Sequence, residues 1–278
     1  MPTRTGPTNV ASKLGNTARG VARTFPMSLW APRFMHNVGS RTSKEIAAGV
    51  VLNAVHFDGT NDWLKKTSDL TGSVDGKLGM ISVWLNFASG HTGNRGHIYQ
   101  AENFDFEKST ANKIRISASN SSYATKLDMI TTAAFTNSNG WFHVLACWDL
   151  GNSIIDIFIN DSNDTNETTN LDGNIDYTRS NHYVGGETTE NGQLVQGDVA
   201  QFYFSHEFLN FNTASNRRKF ITADGKPVDL GSDGSTPTGT APIIFLDGAT
   251  ASWHTNKGSG GGFTEVGALT DASSSPTD

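Results

Sequence analysis

One cysteine in 278 residues rules out an internal disulfide. Cys147 sits inside an apolar run and reads as a small buried hydrophobe. No stretch approaches the ~18 apolar residues of a membrane-spanning helix, so no membrane partner is expected. No apolar stretch follows Met1-Pro2-Thr3-Arg4-Thr5-Gly6-Pro7, and no secretory signal is expected. The four Asn-x-Ser/Thr sequons at Asn120, Asn160, Asn163 and Asn166 then read as by-products of Asn-rich loops. The eight histidines lack the i,i+4 or cysteine-paired spacing of a transition-metal site. There is no Gly-rich loop opening a helix and no Gly-x-Ser-x-Gly elbow, so phosphate-loop and serine-hydrolase chemistry drop out. No internal repeat is present, which argues against a long fibre shaft.

Acidic residues are missing from the first 44 positions. Arg4, Lys13, Arg19, Arg23, Arg33, Arg41 and Lys44 give that stretch +7, and the remaining 14 basic residues face all 27 acidic ones, a balance of −13. A basic arm therefore precedes an acidic body. The arm, residues 1–45, holds four prolines and few aliphatic side chains, so it cannot build a core. Its Phe25, Leu29, Trp30, Phe34 and Met35 have nothing local to bury them and read as anchors for a partner.

What the chain has in quantity is turns and strands. Glycine is abundant (29), charged residues are sparse (17%) and aromatics reach 10%, as in an all-β protein. In residues 141–149, Trp-Phe-His-Val-Leu-Ala-Cys-Trp-Asp, nearly every position is apolar, as in a strand buried on both faces. After Leu150-Gly151-Asn152-Ser153, residues 154–160 alternate, with Ile155, Ile157 and Ile159 on one face. The two runs are expected to form a central antiparallel hairpin. Further strands are expected at residues 80–87, 97–101, 113–118 and 127–132.

In order along residues 55–220, five segments carry a resemblance. They are Phe57-Asp58-Gly59-Thr60-Asn61-Asp62-Trp63, Ile81-Ser82-Val83-Trp84, the 141–160 hairpin, His182-Tyr183-Val184-Gly185-Gly186 and the strand starting at Gly197. Together they resemble the laminin-G-like/pentraxin branch of the concanavalin A-like superfamily. The resemblance implies a two-sheet antiparallel jelly-roll sandwich over residues 46–220, with a closing strand at 197–204 followed by a short helix at 213–220 that has Thr213 as its N-cap. Residues 221–278 then form a Gly-rich C-terminal extension contributing one strand, 243–246, with the rest as surface chain. Residues 225–231, 242–246, 258–262 and 267–271 resemble a segment of laminin-G-like virion proteins of tailed bacteriophages and prophages.

Two oxygen-rich clusters are candidate sites. Asp58, Asn61 and Asp62 concentrate calcium-type ligands at one turn, and relatives of this fold bind calcium near a sandwich rim; the other reading is that Asp58 and Asn61 bond the turn backbone. Glu102, Asp105 and Glu107 invite comparison with sandwich glycosidases, which need two carboxyl groups ~5 Å apart. Asp105 and Glu107 share a face, but Glu102 lies an odd number of residues from both, so this segment reads as an acidic edge strand or loop. Residues 160–176 read as a solvated hairpin tip. His143 reads as a core histidine; Trp63, Trp84, Trp141 and Trp148 as core; Trp253 and Tyr123 as loop aromatics able to stack on sugars.

The expected function is that of a non-enzymatic structural protein on the surface of a phage particle, a capsid decoration or short appendage that works as a homo-oligomer. It would meet other virion proteins through Arg4, Lys13, Arg19, Arg23, Phe25, Trp30, Arg33 and Phe34. The alternatives are a glycan-binding adhesin of the phage tail, or a glycan-degrading hydrolase, which the misphased carboxylates disfavour. No cofactor beyond calcium is expected, and the acidic body argues against a nucleic-acid role. A chain starting at Glu45 should keep a cooperative melting transition yet fail to join particles in a co-sedimentation assay. Joining as well as the full chain does would remove the arm as anchor.

Overall fold

The computed structural model describes residues 50–186 and 193–278; the arm and all its proposed anchor residues lie outside the described residues. Chain order begins with β1 (Val55–Asp58), β2 (Trp63–Lys66), β3 (Leu78–Phe87), β4 (Gly96–Ala101), β5 (Phe104–Lys108), β6 (Ile114–Ser119) and β7 (Thr125–Thr131). Next come β8 (Phe142–Asp149), β9 (Ile154–Ile159), β10 (Ser162–Asn163), β11 (Thr165–Asn170), β12 (His182–Val184) and β13 (Gln196–Ser205). After α1 (Ala214–Arg217) the chain adds β14 (Ile244–Leu246), α2 (Thr250–Trp253), β15 (Thr264–Val266) and β16 (Thr270–Asp271).

These strands make a jelly-roll sandwich of two antiparallel eight-stranded sheets. The first runs β10-β9-β8-β3-β13-β1-β16, with β14 also on β13; the second runs β11-β7-β6-β5-β4-β12-β2-β15. β8 is central, as its composition demands: all eight residues are buried between β3 and β9. Its inner side chains Phe142, Val144, Ala146 and Trp148 join the inter-sheet core. Trp148 fits because its partner across the ladder is Gly79, where a Cβ would lie 2.2 Å from the indole. The indole Nε1 donates to Tyr177 Oη at 2.8 Å, and that hydroxyl donates to the Leu78 carbonyl at 2.9 Å.

The first sheet is also apolar on its outer face, and the chain after β13 covers it. Met80, Leu145, Cys147, Phe158 and Tyr203 pack there against Phe211, Phe220, Leu230 and Phe245. A smaller cluster of Leu52, Ala54, Trp84, Ala200 and Ile221 extends the cover. A bulge at Ala200/Tyr203, with Gln201 at φ 50°, lets β13 pair with β1 along one half and β14 along the other.

Residues 221–278 therefore depart from the single-strand extension expected. They supply three strands, β14 and β16 to the first sheet and β15 to the second. Trp253, expected in a loop, is fully buried and meets Phe57 edge-on at 6.0 Å. The covering is hydrophobic: Trp253, Phe263 and Leu269 complete a core that would otherwise be open to water. The expected eight-residue helix shrinks to the single turn α1, and Thr213 makes no side-chain cap bond. Residues 165–170, expected in a solvated tip, form the polar edge strand β11. Trp141 precedes β8, and its Nε1 donates to Ser274 Oγ at 3.0 Å.

His143 is the expected core histidine, buried and hydrogen-bonded through Nε2 to Ser82 Oγ at 2.8 Å. Burial pushes its pKa down to about 3. Burial likewise lowers His91, His182 and His206 to about 4, with Lys108 adding to the effect at His91. Each of these folded values lies below the ordinary 6.5 of an unfolded imidazole, so the unfolded chain binds more protons as pH falls through that window. Stability should therefore drop from about pH 6.5 to about pH 4. Chemical denaturation across that range checks this, and His143→Gln should flatten the slope. A midpoint constant from pH 7 to 4.5 would contradict it.

Candidate functional site

The two sheets differ in what lies outside them. The apolar clusters among the described residues fill the inter-sheet core and the outer side of the first sheet; none lies on the outer face of the second. On that face the strands alternate cleanly. In β6, Ile114, Ile116 and Ala118 turn inward, leaving Arg115, Ser117 and Ser119 outside.

Ladder register carries one outer row across all eight strands: Thr264, Lys65, Tyr183, Gln100, Asp105, Ser117, Asp128 and Thr169. Seven inter-strand steps make this strip about 34 Å long. Trp63 shares a strand and a face with Lys65 and is half-buried, as is Tyr183. A second row, His97, Glu107, Arg115, Ile130 and Asn166, runs beside it.

Interlocked charges stiffen the floor of this face. Arg115 grips Asp128 with two bonds of 2.8 and 2.7 Å. Glu107, only 1% exposed, takes a 2.5 Å bond from Arg95 Nε and lies 3.5 Å from Arg115. The Asp128 hydrogen bond is the main cause raising Arg115 above the ordinary guanidinium value, so it stays charged. His97 Nε2 donates to Gln193 Oε1 at 2.5 Å, and its Nδ1 lies 3.4 Å from Asp105. Burial alone would lower the His97 pKa; hydrogen bonds to Asp105 and Gln193 and the nearby carboxylates outweigh it and raise it. Lys108, at the end of β5, is buried with Nζ on the carbonyls of His91 and Asn94 at 2.8 and 2.9 Å. Burial lowers it to about 8.

β5 is thus an interior strand, not the acidic edge or loop expected; its charges are neutralised by residues on neighbouring strands and loops. Glu102 lies in the turn between β4 and β5 and takes no part in the Asp105–Glu107 face. It accepts the Tyr123 hydroxyl, and its Oε2 is 3.6 Å from Arg179 Nη1. That bond raises the Tyr123 pKa, keeping the phenol a donor. Tyr123 is the expected exposed aromatic, 60% accessible, and stands at φ 60°. A bulky residue there costs on the order of 1 kcal/mol.

The aspartates among the calcium candidates bond the backbone around them. Asp58 Oδ1 accepts the backbone N–H groups of Thr60 and Asn61 at 2.7 and 3.1 Å. Asp62 is buried and accepts from Ala268 N at 2.9 Å and Asp58 N at 3.4 Å, while Asn61 is exposed. Among the described residues no group of three or more His, Cys, Asp or Glu side chains is arranged to hold a metal. The turn-bonding reading fits this geometry, with Asp62 tying the chain at residue 268 back to the first turn.

No family model matches the chain, and no curated protein sequence matches it. Solved structures do. A native heptameric SAP-like pentraxin from Limulus polyphemus aligns with a TM-score of 0.53 at 14% identity, over 81% of this chain and 97% of the pentraxin. A putative carbohydrate binding protein from Bacteroides ovatus aligns with a TM-score of 0.54 at 14% identity. That match covers 80% of this chain and 60% of the Bacteroides chain. At such identity the likeness establishes the fold alone, a two-sheet antiparallel jelly-roll sandwich.

Asp62→Ala should cost about 1.5–3 kcal/mol, the loss of charge-assisted bonds to a buried carboxylate, while EDTA leaves the wild-type melting temperature unchanged. A calcium-dependent rise in melting temperature that Asp62→Ala abolishes would restore the metal reading.

Proposed function

We propose that the sandwich is a non-enzymatic carbohydrate-binding module whose ligand lies along the open face of the second sheet. One observation carries this: the first sheet is covered on both faces, while the second presents Trp63, Tyr183 and a polar side chain on nearly every strand. Half-buried aromatic rings offer an apolar surface to the C–H face of a sugar, and the flanking amide, hydroxyl and carboxylate groups take its hydroxyls. The Arg115–Asp128 and Arg95–Glu107 pairs hold that floor rigid, so little ordering remains to be done on binding. The Bacteroides protein of similar fold, described as carbohydrate binding, supports the same class of ligand.

Hydrolysis is no part of this reading. A retaining or inverting glycosidase needs two carboxyl groups facing the sugar. Glu107 is buried beneath two arginines, Asp105 is turned to His97, and Glu102 stands at the sheet end. Display on a phage particle, with residues 1–45 as attachment arm, belongs to the same proposal. It rests on the charge split and on the phage-like segments between residues 225 and 271.

Titration calorimetry of the full chain against neutral and acidic oligosaccharides tests this. Trp63→Ala and Tyr183→Ala should each weaken binding by about tenfold or more, as for buried aromatic anchors, with no reducing ends released. Failure of every glycan to bind, or unchanged affinity in both variants, would overturn the proposal.

A further inference from the structure

We infer that Tyr123 is a preset stacking platform for one pyranose ring of a neutral glycan, placed where the open face ends; this rests on the carbohydrate reading above. The turns after β4 and β6 lie at the same end of the second sheet, because the strands between them run antiparallel in sequence. They bring Glu102 and Tyr123 together just beyond the row containing Gln100 and Ser117.

Tyr123 is unlike the other aromatics among the described residues. It belongs to no apolar cluster, lies largely in solvent and holds a left-handed backbone conformation that glycine or asparagine adopts without penalty. Nothing in the fold requires a ring there. Yet the ring is fixed in place. Its hydroxyl donates to Glu102, and the Arg179 guanidinium lies over one face, 5.5 Å from the centroid. Arg179 is itself locked: Nε donates to Asp176 Oδ2 at 2.6 Å, and Nη2 to the Ser121 carbonyl at 3.2 Å. Asp176 is held in turn by Asn103 Nδ2 at 3.1 Å. A ring so braced on one face loses little freedom when a sugar stacks on the other.

The same contacts choose the ligand. Arg179 commits Nε to Asp176 and Nη2 to the Ser121 carbonyl, and Nη1 lies 3.6 Å from Glu102, so its charge is already paired with two carboxylates and is a poor lure for an acidic sugar. What the platform edge does present is the half-exposed Glu102 carboxylate, an acceptor for hydroxyl groups that repels anions. Neutral hexose chains fit; uronates and sialylated chains do not.

The test uses the full chain and two probe sets: gluco-, manno- and galacto-oligosaccharides, and oligouronates. Tyr123→Gly should bind the neutral probes at least about tenfold more weakly while its melting temperature stays the same or rises, because glycine relieves the backbone. Tyr123→Phe should keep most of the affinity. If Tyr123→Gly binds as wild type does while Tyr183→Ala loses affinity, the platform is wrong and the open-face reading stands. If the wild type prefers oligouronates, the ligand class is wrong. If it binds neither set, both proposals fall together.

Discussion

A sheet that is apolar on both faces dictates the rest of this molecule. β3, β8 and β13 bury nearly every side chain they carry, so the first sheet needs a partner on each side. The second sheet supplies one. The other must come from the chain itself, and residues 206–246 return across the outer face to provide it. Burying a side chain the size of Phe or Leu is worth about 1.5–3 kcal/mol. A covering layer with Phe211, Phe220, Leu230 and Phe245 is therefore a condition of folding and not an ornament. The second sheet, charged and polar outside, has no such need, and among the described residues no apolar cluster covers its outer face.

The chain between residues 225 and 271 acquires a physical meaning from this layout. Leu230 and Phe245 belong to the cover, and β14 completes the bulged half of β13. Asn256 clamps the following loop, accepting from Phe245 N at 2.7 Å and donating to the Ile243 carbonyl at 2.9 Å. Gly260 comes so close to the Ile243 carbonyl that a Cβ would lie 2.5 Å from it. This segment caps the sandwich, and Gly258 and Gly260 mark close backbone approaches.

Strands with a strong pattern were legible from the residues: β3, β6, β8 and β9 fall where alternation or an unbroken apolar run placed them, and β13 where the resemblance did. What escaped depends on contacts distant in sequence. β5 contains Glu107 and Lys108, and only the packing of β6 and the loop before β4 shows that the first is paired with two arginines and the second held by backbone carbonyls. β11 is Thr-Asn-Glu-Thr-Thr-Asn and carries no apolar signal at all. Trp253 stands among Ser, Thr and Gly, so nothing nearby reveals that it meets Phe57. Of the site, only Tyr123 was singled out from the residues; Tyr183 was read as part of a strand, and Trp63, expected in the core, is half-buried on the outer face. The row that aligns Tyr183 with Asp105 and Asp128 exists only in the register, and Glu102, Tyr123 and Arg179 converge only through topology.

The functional account depends on that asymmetry between a covered sheet and an open one, and hydroxyl-radical footprinting of the intact chain addresses it directly. Phe158, Tyr203 and Phe245 on the first sheet should be protected, whereas Trp63, Tyr123 and Tyr183 should be oxidised readily and then shielded by bound oligosaccharide. Comparable labelling of Tyr203 and Tyr183, or protection of Tyr183 and Trp63 in the free protein, would contradict the assignment of the second sheet as the binding face.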